Sequence, residues 1–148
     1  MPIASERILY EDDSLLGINK LSGELVVRGK GKVDKLPLLD FLKKDYKGLR
    51  ALHRLDFETS GVVVFSKNKD VEKIILDSKF KGWRKIYRTL VMGRIMKSKG
   101  VLRMPLPARG KGKVEAVTNY NVLDRFANSS YIEAEIETGR YHQIRRHF

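Results

Sequence analysis

His53-Arg54-Leu55-Asp56-Phe57-Glu58-Thr59-Ser60-Gly61-Val62-Val63-Val64-Phe65 runs without a break from a loop dense in polar chemistry into a strand suited to burial. Three consecutive valines favour extended backbone, because β-branched side chains pack well on a pleated surface. A carboxylate beside Arg54, in a loop set against that strand, is held by the scaffold yet open to a ligand. Ser60-Gly61 permits a tight turn or a close backbone approach. On residue types alone, an Arg-x-Asp loop serves either as a structural ion pair or as a catalytic carboxylate, and both readings stand.

Outward from that centre, residues 7–10 and 15–20 are short apolar runs around Glu11-Asp12-Asp13-Ser14, which predicts two strands and a turn. Residues 21–35 are rich in Gly and charge and read as a loop. Residues 37–46 predict a short helix, with Pro37 at its start, Leu38, Leu39, Phe41 and Leu42 on one face, and Gly48 after its end. Residues 61–65 are the buried strand. Asp70 is the expected cap of a helix reaching about residue 81, with Val71, Ile74, Ile75 and Ser78 on one side. Residues 85–92 predict a strand, 93–112 a basic connection, and 114–123 and 131–137 further strands. A last helix is expected near Tyr141. Strands and helices interspersed without strict alternation predict an α+β fold.

The chain has 148 residues, enough for one domain with a real core. No run approaches the roughly 18 apolar residues of a membrane span, and the N-terminus lacks a secretory pattern. Together with the absence of cysteine, this predicts a soluble intracellular protein without disulfides or thiolate metal sites. The net charge is +12, and all of it arises in residues 79–113, which hold twelve Lys and Arg and no acid. Elsewhere eighteen basic residues face eighteen acidic ones. So clustered a positive field fits a phosphate backbone better than a merely solvated face, without choosing between DNA and RNA.

Residues 137–147 form a second dense segment, Glu137-Thr138-Gly139-Arg140-Tyr141-His142-Gln143-Ile144-Arg145-Arg146-His147. Five basic or imidazole groups fall at a strand-turn-helix junction, where backbone amides and arginines can grip an anion; a plain basic helix face is the alternative. Zinc is a poor reading of His142 and His147, whose five-residue spacing puts them on different helix faces. Tyr87 can offer a flat ring to a base or can simply fill the core. Arg28-Gly29-Lys30-Gly31-Lys32 recurs as Arg109-Gly110-Lys111-Gly112-Lys113. Neither is a P-loop; two flexible basic loops that settle on phosphates, or coincidence in a Lys/Gly-rich chain, account for the echo.

Taken together, these segments resemble the pseudouridine synthases of the ribosomal large-subunit synthase A-like (RluA-type) family. His53-Arg54-Leu55-Asp56-x-x-Thr59-Ser60-Gly61 is similar to that family's central motif. Ile8-Leu9-Tyr10-Glu11-Asp12-Asp13 through Gly17-Ile18-Asn19-Lys20-x-Ser22-Gly23 resembles its opening motif, with Leu21 where the family usually has Pro. Lys85-x-Tyr87 then Gly93, Gly112-Lys113 with Thr118, Tyr120 and Val122, and Thr138-Gly139-Arg140-x-His142-Gln143-Ile144-Arg145 resemble three later segments, all in family order.

The resemblance implies a pseudouridine synthase fold, a mixed and largely antiparallel sheet flanked by helices. It implies one catalytic domain over residues 1–148, incomplete at its C-terminal end and without a separate N-terminal RNA-binding domain. Asp56 would be the catalytic aspartate, Tyr87 the ring packed on the target base, and Arg145 the basic partner of Asp56. Arg54 would help displace the flipped nucleotide. His53, Thr59, Lys85, Arg109, Lys111, Lys113, Arg140, His142 and Gln143 would line the RNA. Implied with them are RNA as partner (ribosomal RNA ahead of transfer RNA), no cofactor, no metal, no membrane, a monomer and a cytoplasmic location. The rival readings are a non-catalytic RNA-binding relative and, more weakly, a DNA-binding domain.

Overall fold

The computed structural model describes residues 3–29, 36–108 and 110–148. It divides into two compact units, Met1–Lys81 and Gly82–Phe148.

In the first unit, a 3-10 turn at Ser5–Arg7 leads into strand β1 (Ile8–Glu11), followed by β2 (Leu15–Lys20), helix α1 (Leu38–Leu42), β3 (Arg50–Ala51), β4 (Gly61–Ser66) and helix α2 (Lys69–Asp77). The strands form one antiparallel sheet in the order β1-β2-β4-β3. Leu16 lies opposite Phe65 and Ile18 opposite Val63, and all four are fully buried. The valine run is thus one of the two central strands of this unit's sheet. Asp12 closes the β1–β2 turn: its Oδ1 accepts the Ser14 N–H at 2.8 Å and the Leu15 N–H at 2.6 Å, as short carboxylates do in Asx-turns.

Helix α1 starts at the expected Pro37 but is shorter than predicted. Turns replace it before Gly48, whose φ of +79° suits glycine. The cap of α2 differs from the prediction as well. Asn68, not Asp70, accepts the Val71 N–H at 2.9 Å. Its extended backbone is what a cap requires, and Asp70 falls in the first turn, where its charge still suits the helix dipole. The helix ends at Asp77 because Lys79 and Phe80 both adopt positive φ. Ile74, expected on the packed side, is 67% exposed.

The second unit holds β5 (Ile86–Met92), β6 (Lys99–Leu102), β7 (Leu106–Pro107), β8 (Lys113–Val114), β9 (Thr118–Arg125), β10 (Ser129–Ile136) and α3 (Gln143–His147). Its main sheet is antiparallel in the order β5-β10-β9-β6, and β7 and β8 pair in a hairpin. Residues 93–112, expected as a connection, therefore contain two strands. What makes residues 99–102 a strand is β9: Gly100 sits opposite Tyr120, and a Cβ there would meet the tyrosine ring at 2.7 Å. The single strand expected at 114–123 is broken in two, because Ala116 and Val117 turn inward and are buried.

One row across this sheet reads Tyr87, Ala134, Tyr120, Gly100. Residues directly opposite share a face, so both tyrosines project from the same side. Two arginines of the basic stretch are compensated across strands: Arg84 pairs with Glu135 at 2.8 Å and Arg88 with Glu133 at 3.2 Å. The one-sidedness of residues 79–113 in sequence is thus reduced in space by β10.

The α+β class is as expected, with antiparallel sheets and few, short helices. Among the described residues no helix is long and apolar enough to cross a membrane.

Candidate functional site

Asp56 lies half-buried in the loop between β3 and β4, and its carbonyl oxygen accepts the Thr59 N–H at 3.1 Å, closing a turn. The segment after β2 holds that turn in place. Gly23 N–H donates to the Phe57 carbonyl at 2.8 Å, and Ser22 Oγ donates to the Glu58 carbonyl at 2.8 Å. Lys20 completes the brace. The side chain is fully buried, and its ammonium donates to the carbonyls of Leu21 at 3.0 Å, Phe57 at 3.2 Å and Thr59 at 2.5 Å. Burial pushes the Lys20 pKa down, while the negative charges of Glu24, Asp56 and Glu58 pull it back up. Asp56 is therefore in electrostatic reach of a buried cation on its own unit.

The bracing segment is fixed in turn. Arg7 forks onto Glu24 through bonds of 3.1 and 2.6 Å and donates to the Asn19 carbonyl at 3.0 Å. Glu24 also accepts the Leu21 N–H at 2.8 Å. A bidentate guanidinium–carboxylate pair has few alternative geometries, so it orients the loop as well as holding it.

Of the other expected residues here, His53 is half-buried and its Nε2 accepts the Val64 N–H at 3.1 Å, which puts that nitrogen to structural use. Arg54 is exposed. Thr59 contributes its carbonyl to Lys20. Leu55 between them is buried and anchors the loop to the core.

In the second unit, Tyr87 is half-buried on β5. Helix α3 packs over the face of the sheet that carries it: Phe148 meets Tyr120 edge-on at 5.4 Å, and Gln143 and His147 both bond to Thr118. The structure thus brings Tyr87 and the helix bearing Arg145 to one face of one sheet. Lys85 joins them, with its ammonium 3.8 Å from where Gly139 would carry a Cβ.

Gln143 departs from expectation. It is 3% exposed, and its amide makes four bonds within the chain. Its oxygen accepts Thr138 Oγ1–H at 2.8 Å and Arg140 N–H at 3.1 Å; its nitrogen donates to the Val117 carbonyl and Thr118 Oγ1, both at 2.9 Å. This amide faces the protein interior and sets the position of α3. Thr118, having accepted from Gln143, has its own proton for His147 Nδ1 at 2.9 Å, and His147 Nε2 donates to the Met104 carbonyl at 3.0 Å. The network selects the Nε2–H tautomer.

Two of the backbone amides expected to grip an anion at this helix start are engaged within the chain. Helix α3 has only five residues, and the Arg140 and Gln143 amides bond internally. Arg140 also donates from Nε to the Glu115 carbonyl at 2.9 Å. Arg145 is exposed, and His142 precedes the helix with a left-handed backbone. Lys111 and Lys113 are exposed at the β7–β8 hairpin; Arg109 lies outside the described residues, as do Lys30, Gly31 and Lys32 of the earlier basic loop. Among the described residues no three His, Asp or Glu side chains cluster as a metal would need.

Lys20 is the residue that sequence reading missed. Its signal was parity: positions 16, 18 and 20 of β2 share a face, and the first two are core.

Residues 14–148 match the family model described as RNA pseudouridylate synthase. The chain is 35% identical over 153 residues to the dual-specificity RNA pseudouridine synthase RluA of Escherichia coli K12, covering 95% of this chain and 69% of that protein. It is 32% identical over 154 residues to the ribosomal large subunit pseudouridine synthase D of Buchnera aphidicola, covering 95% of this chain and 49% of that protein. It thus spans about half the length of several curated relatives it matches. Among solved structures, human RNA pseudouridylate synthase domain containing 4 superposes with a TM-score of 0.77 at 28% identity, covering 95% of this chain and 62% of that one.

Proposed function

Because the chain belongs to the RNA pseudouridylate synthase family, we propose that it isomerises uridine to pseudouridine in RNA, with Asp56 as the catalytic carboxylate. The observation that carries this reading is the brace on the Asp56 turn, which receives bonds from Lys20, Ser22 and Gly23 at three successive carbonyls, those of Phe57, Glu58 and Thr59. A loop held from beneath at every residue after the carboxylate keeps that carboxylate in one geometry.

The reaction detaches uracil from ribose, turns it and rejoins it through carbon 5, releasing the hydrogen of carbon 5 as a proton. It is redox-neutral and takes up no outside atom, so no cofactor or metal is required. Breaking the glycosidic bond develops positive character on the sugar, which an adjacent carboxylate stabilises. Glycosidases need a second carboxylate to activate water; here water is to be kept out, so one suffices. Tyr87 would pack on the extruded base and Arg145 would supply a counter-charge to Asp56. Arg54 would fill the place the nucleotide leaves, at an unstacking cost of a few kcal/mol. Lys85, Lys111, Lys113, Arg140 and His142 would lie along the RNA with His53, Thr59 and Arg109. Gln143 would act through the helix it positions. The substrate we favour is ribosomal RNA, then transfer RNA, acted on by a cytoplasmic monomer in which residues 1–148 belong to one catalytic domain.

Release of tritium from carbon 5 of labelled uridine in RNA reports the reaction directly. The chain should release it without added metal, and Asp56→Asn should abolish release while RNA binding persists. Undiminished release by Asp56→Asn sinks the assignment, and no release by the wild type on cellular RNA favours a non-catalytic binder.

A further inference from the structure

Tyr141 occupies the position left open in Thr138-Gly139-Arg140-x-His142, and it is 53% exposed. Its ring stacks on that of His142, with centroids 3.7 Å apart and planes at 23°. The guanidinium of Arg146 lies 5.5 Å from the same ring centroid. Neighbouring side chains on extended backbone point apart. The left-handed backbone of His142, at φ 52° and ψ 36°, instead brings these two rings face to face. Arg146 returns to the pair through the helical turn, its N–H bonded to the His142 carbonyl at 3.0 Å. Three flat groups are thus gathered at the surface by a backbone conformation that a residue other than glycine adopts only at a cost.

From Thr138 onward the segment carries one sign of charge. Residues 138–148 include Arg140, Arg145 and Arg146 and no acid. A flat, half-exposed ring with a guanidinium beside it suits a ligand that is itself flat and carries phosphate. An unpaired nucleotide meets both requirements, since every base has a face to stack and the backbone supplies the anion.

We propose that Tyr141, seated with His142 and Arg146, is a stacking platform for one unpaired base of the RNA; this rests on the reading of the chain as acting on RNA. It is a contact additional to the target uridine. It contributes through ring overlap, so its effect is independent of the salt-sensitive phosphate contacts.

The test is a binding series with the full chain and RNA hairpins that each carry one abasic nucleotide, compared for wild type, Tyr141→Ala and Tyr141→Trp. Circular dichroism checks that each variant is folded. Tyr141→Ala should weaken binding about 5- to 30-fold on intact RNA with an unchanged salt slope, while Tyr141→Trp should bind like the wild type. On one abasic RNA the wild type and Tyr141→Ala should bind equally, which locates the stacked base. Equal affinity of the wild type and Tyr141→Ala for intact RNA overturns the proposal, whatever else the ring contacts, a protein included. So does a loss of the same size on every abasic RNA. A wild type that binds no RNA overturns the RNA reading and this proposal together, whereas normal turnover with an inert Tyr141→Ala removes the platform alone.

Discussion

The ammonium of Lys20 and the carbonyl of Thr59 meet at 2.5 Å although thirty-nine positions separate them in sequence. That bond and its partner to Phe57 run from the end of one core strand into the loop before the next. The cation lies beneath the Asp56 turn, where it satisfies part-buried carbonyls on either side of it.

Lys20→Met keeps the length and volume of the stem but takes the ammonium from three carbonyls, of which only that of Phe57 keeps another donor, the Gly23 N–H. An unsatisfied buried carbonyl costs about 1–3 kcal/mol, and partial rehydration of the loop brings the expected loss to about 2–4 kcal/mol by denaturant unfolding. Turnover should fall more than RNA affinity, because the Asp56 turn loosens while the basic surface is untouched. The pH dependence has a definite sign. Burial holds the folded pKa of Lys20 below its ordinary 10.5, so the folded state binds fewer protons in the window just beneath that value. Stability due to this group therefore rises with pH there. The wild type minus Lys20→Met difference should show that rise, and a flat difference would contradict it.

Salt dependence separates the basic residues that meet phosphate from those engaged across strands. Each phosphate neutralised should contribute about 0.7 to 0.9 to the slope of log affinity against log salt. Alanine at Lys97, Lys99, Lys111 or Lys113 should lower the slope by about that amount wherever a phosphate is met. Arg84→Ala and Arg88→Ala should lower it less, since Glu135 and Glu133 already oppose those charges. A slope near zero for the wild type would rule out phosphate as the main contact.

Gln143 offers a test of position against contact. Gln143→Ala strands the Arg140 N–H and takes one of two donors from the Val117 carbonyl, which keeps the Glu137 N–H, and should destabilise the fold by about 1–3 kcal/mol. Gln143→Glu keeps the shape but turns an acceptor toward the Val117 carbonyl, so it should be no better. Were Gln143 a direct RNA contact, both variants would bind RNA poorly at unchanged stability.

Acid should undo the β1–β2 turn before the core. Asp12 is held below its ordinary 3.8, first by the hydrogen bond from Tyr10 and then by the Leu15 and Ser14 amides. Glu11 is held below its ordinary 4.5, first by Lys67. For carboxylates lowered by folding, the stabilising contribution is complete above the ordinary value and is lost as pH falls through the folded one. Asp12→Asn keeps an oxygen for the two amides and removes the charge, so acid unfolding of the variant should show a shallower pH dependence below about pH 4. An unaltered acid profile would show that the turn carries none of it.

Much of the first unit was legible because its signals are local. Three valines and the Leu16/Ile18 parity specify β2 and β4 without help from elsewhere. Strand β6 was not legible, because Lys99-Gly100-Val101-Leu102 becomes a strand only by lying under Tyr120. Asn68 and Asp70 have equal aptitude as caps of α2, and the extended backbone at Asn68 decides between them. At the site, residue types drew attention to Asp56 and to the turn before α3. The inward aim of Gln143 and the pairing of Arg84 and Arg88 with β10 are properties of packing, which no spacing encodes. A charge at an inward position of β2, as at Lys20, is the sequence sign of bonded carbonyls beneath.

A helix of five residues has no lifetime of its own in water, since isolated helices shorter than about 12–15 residues barely form. The backbone protons of α3 are protected only while Thr118 and Tyr120 lie beneath it. Their exchange into heavy water must therefore proceed through opening of that part of the sheet, at the pace of β9 rather than of a fraying chain end. Arg145 keeps its place, or loses it, in step with a strand some twenty residues behind it.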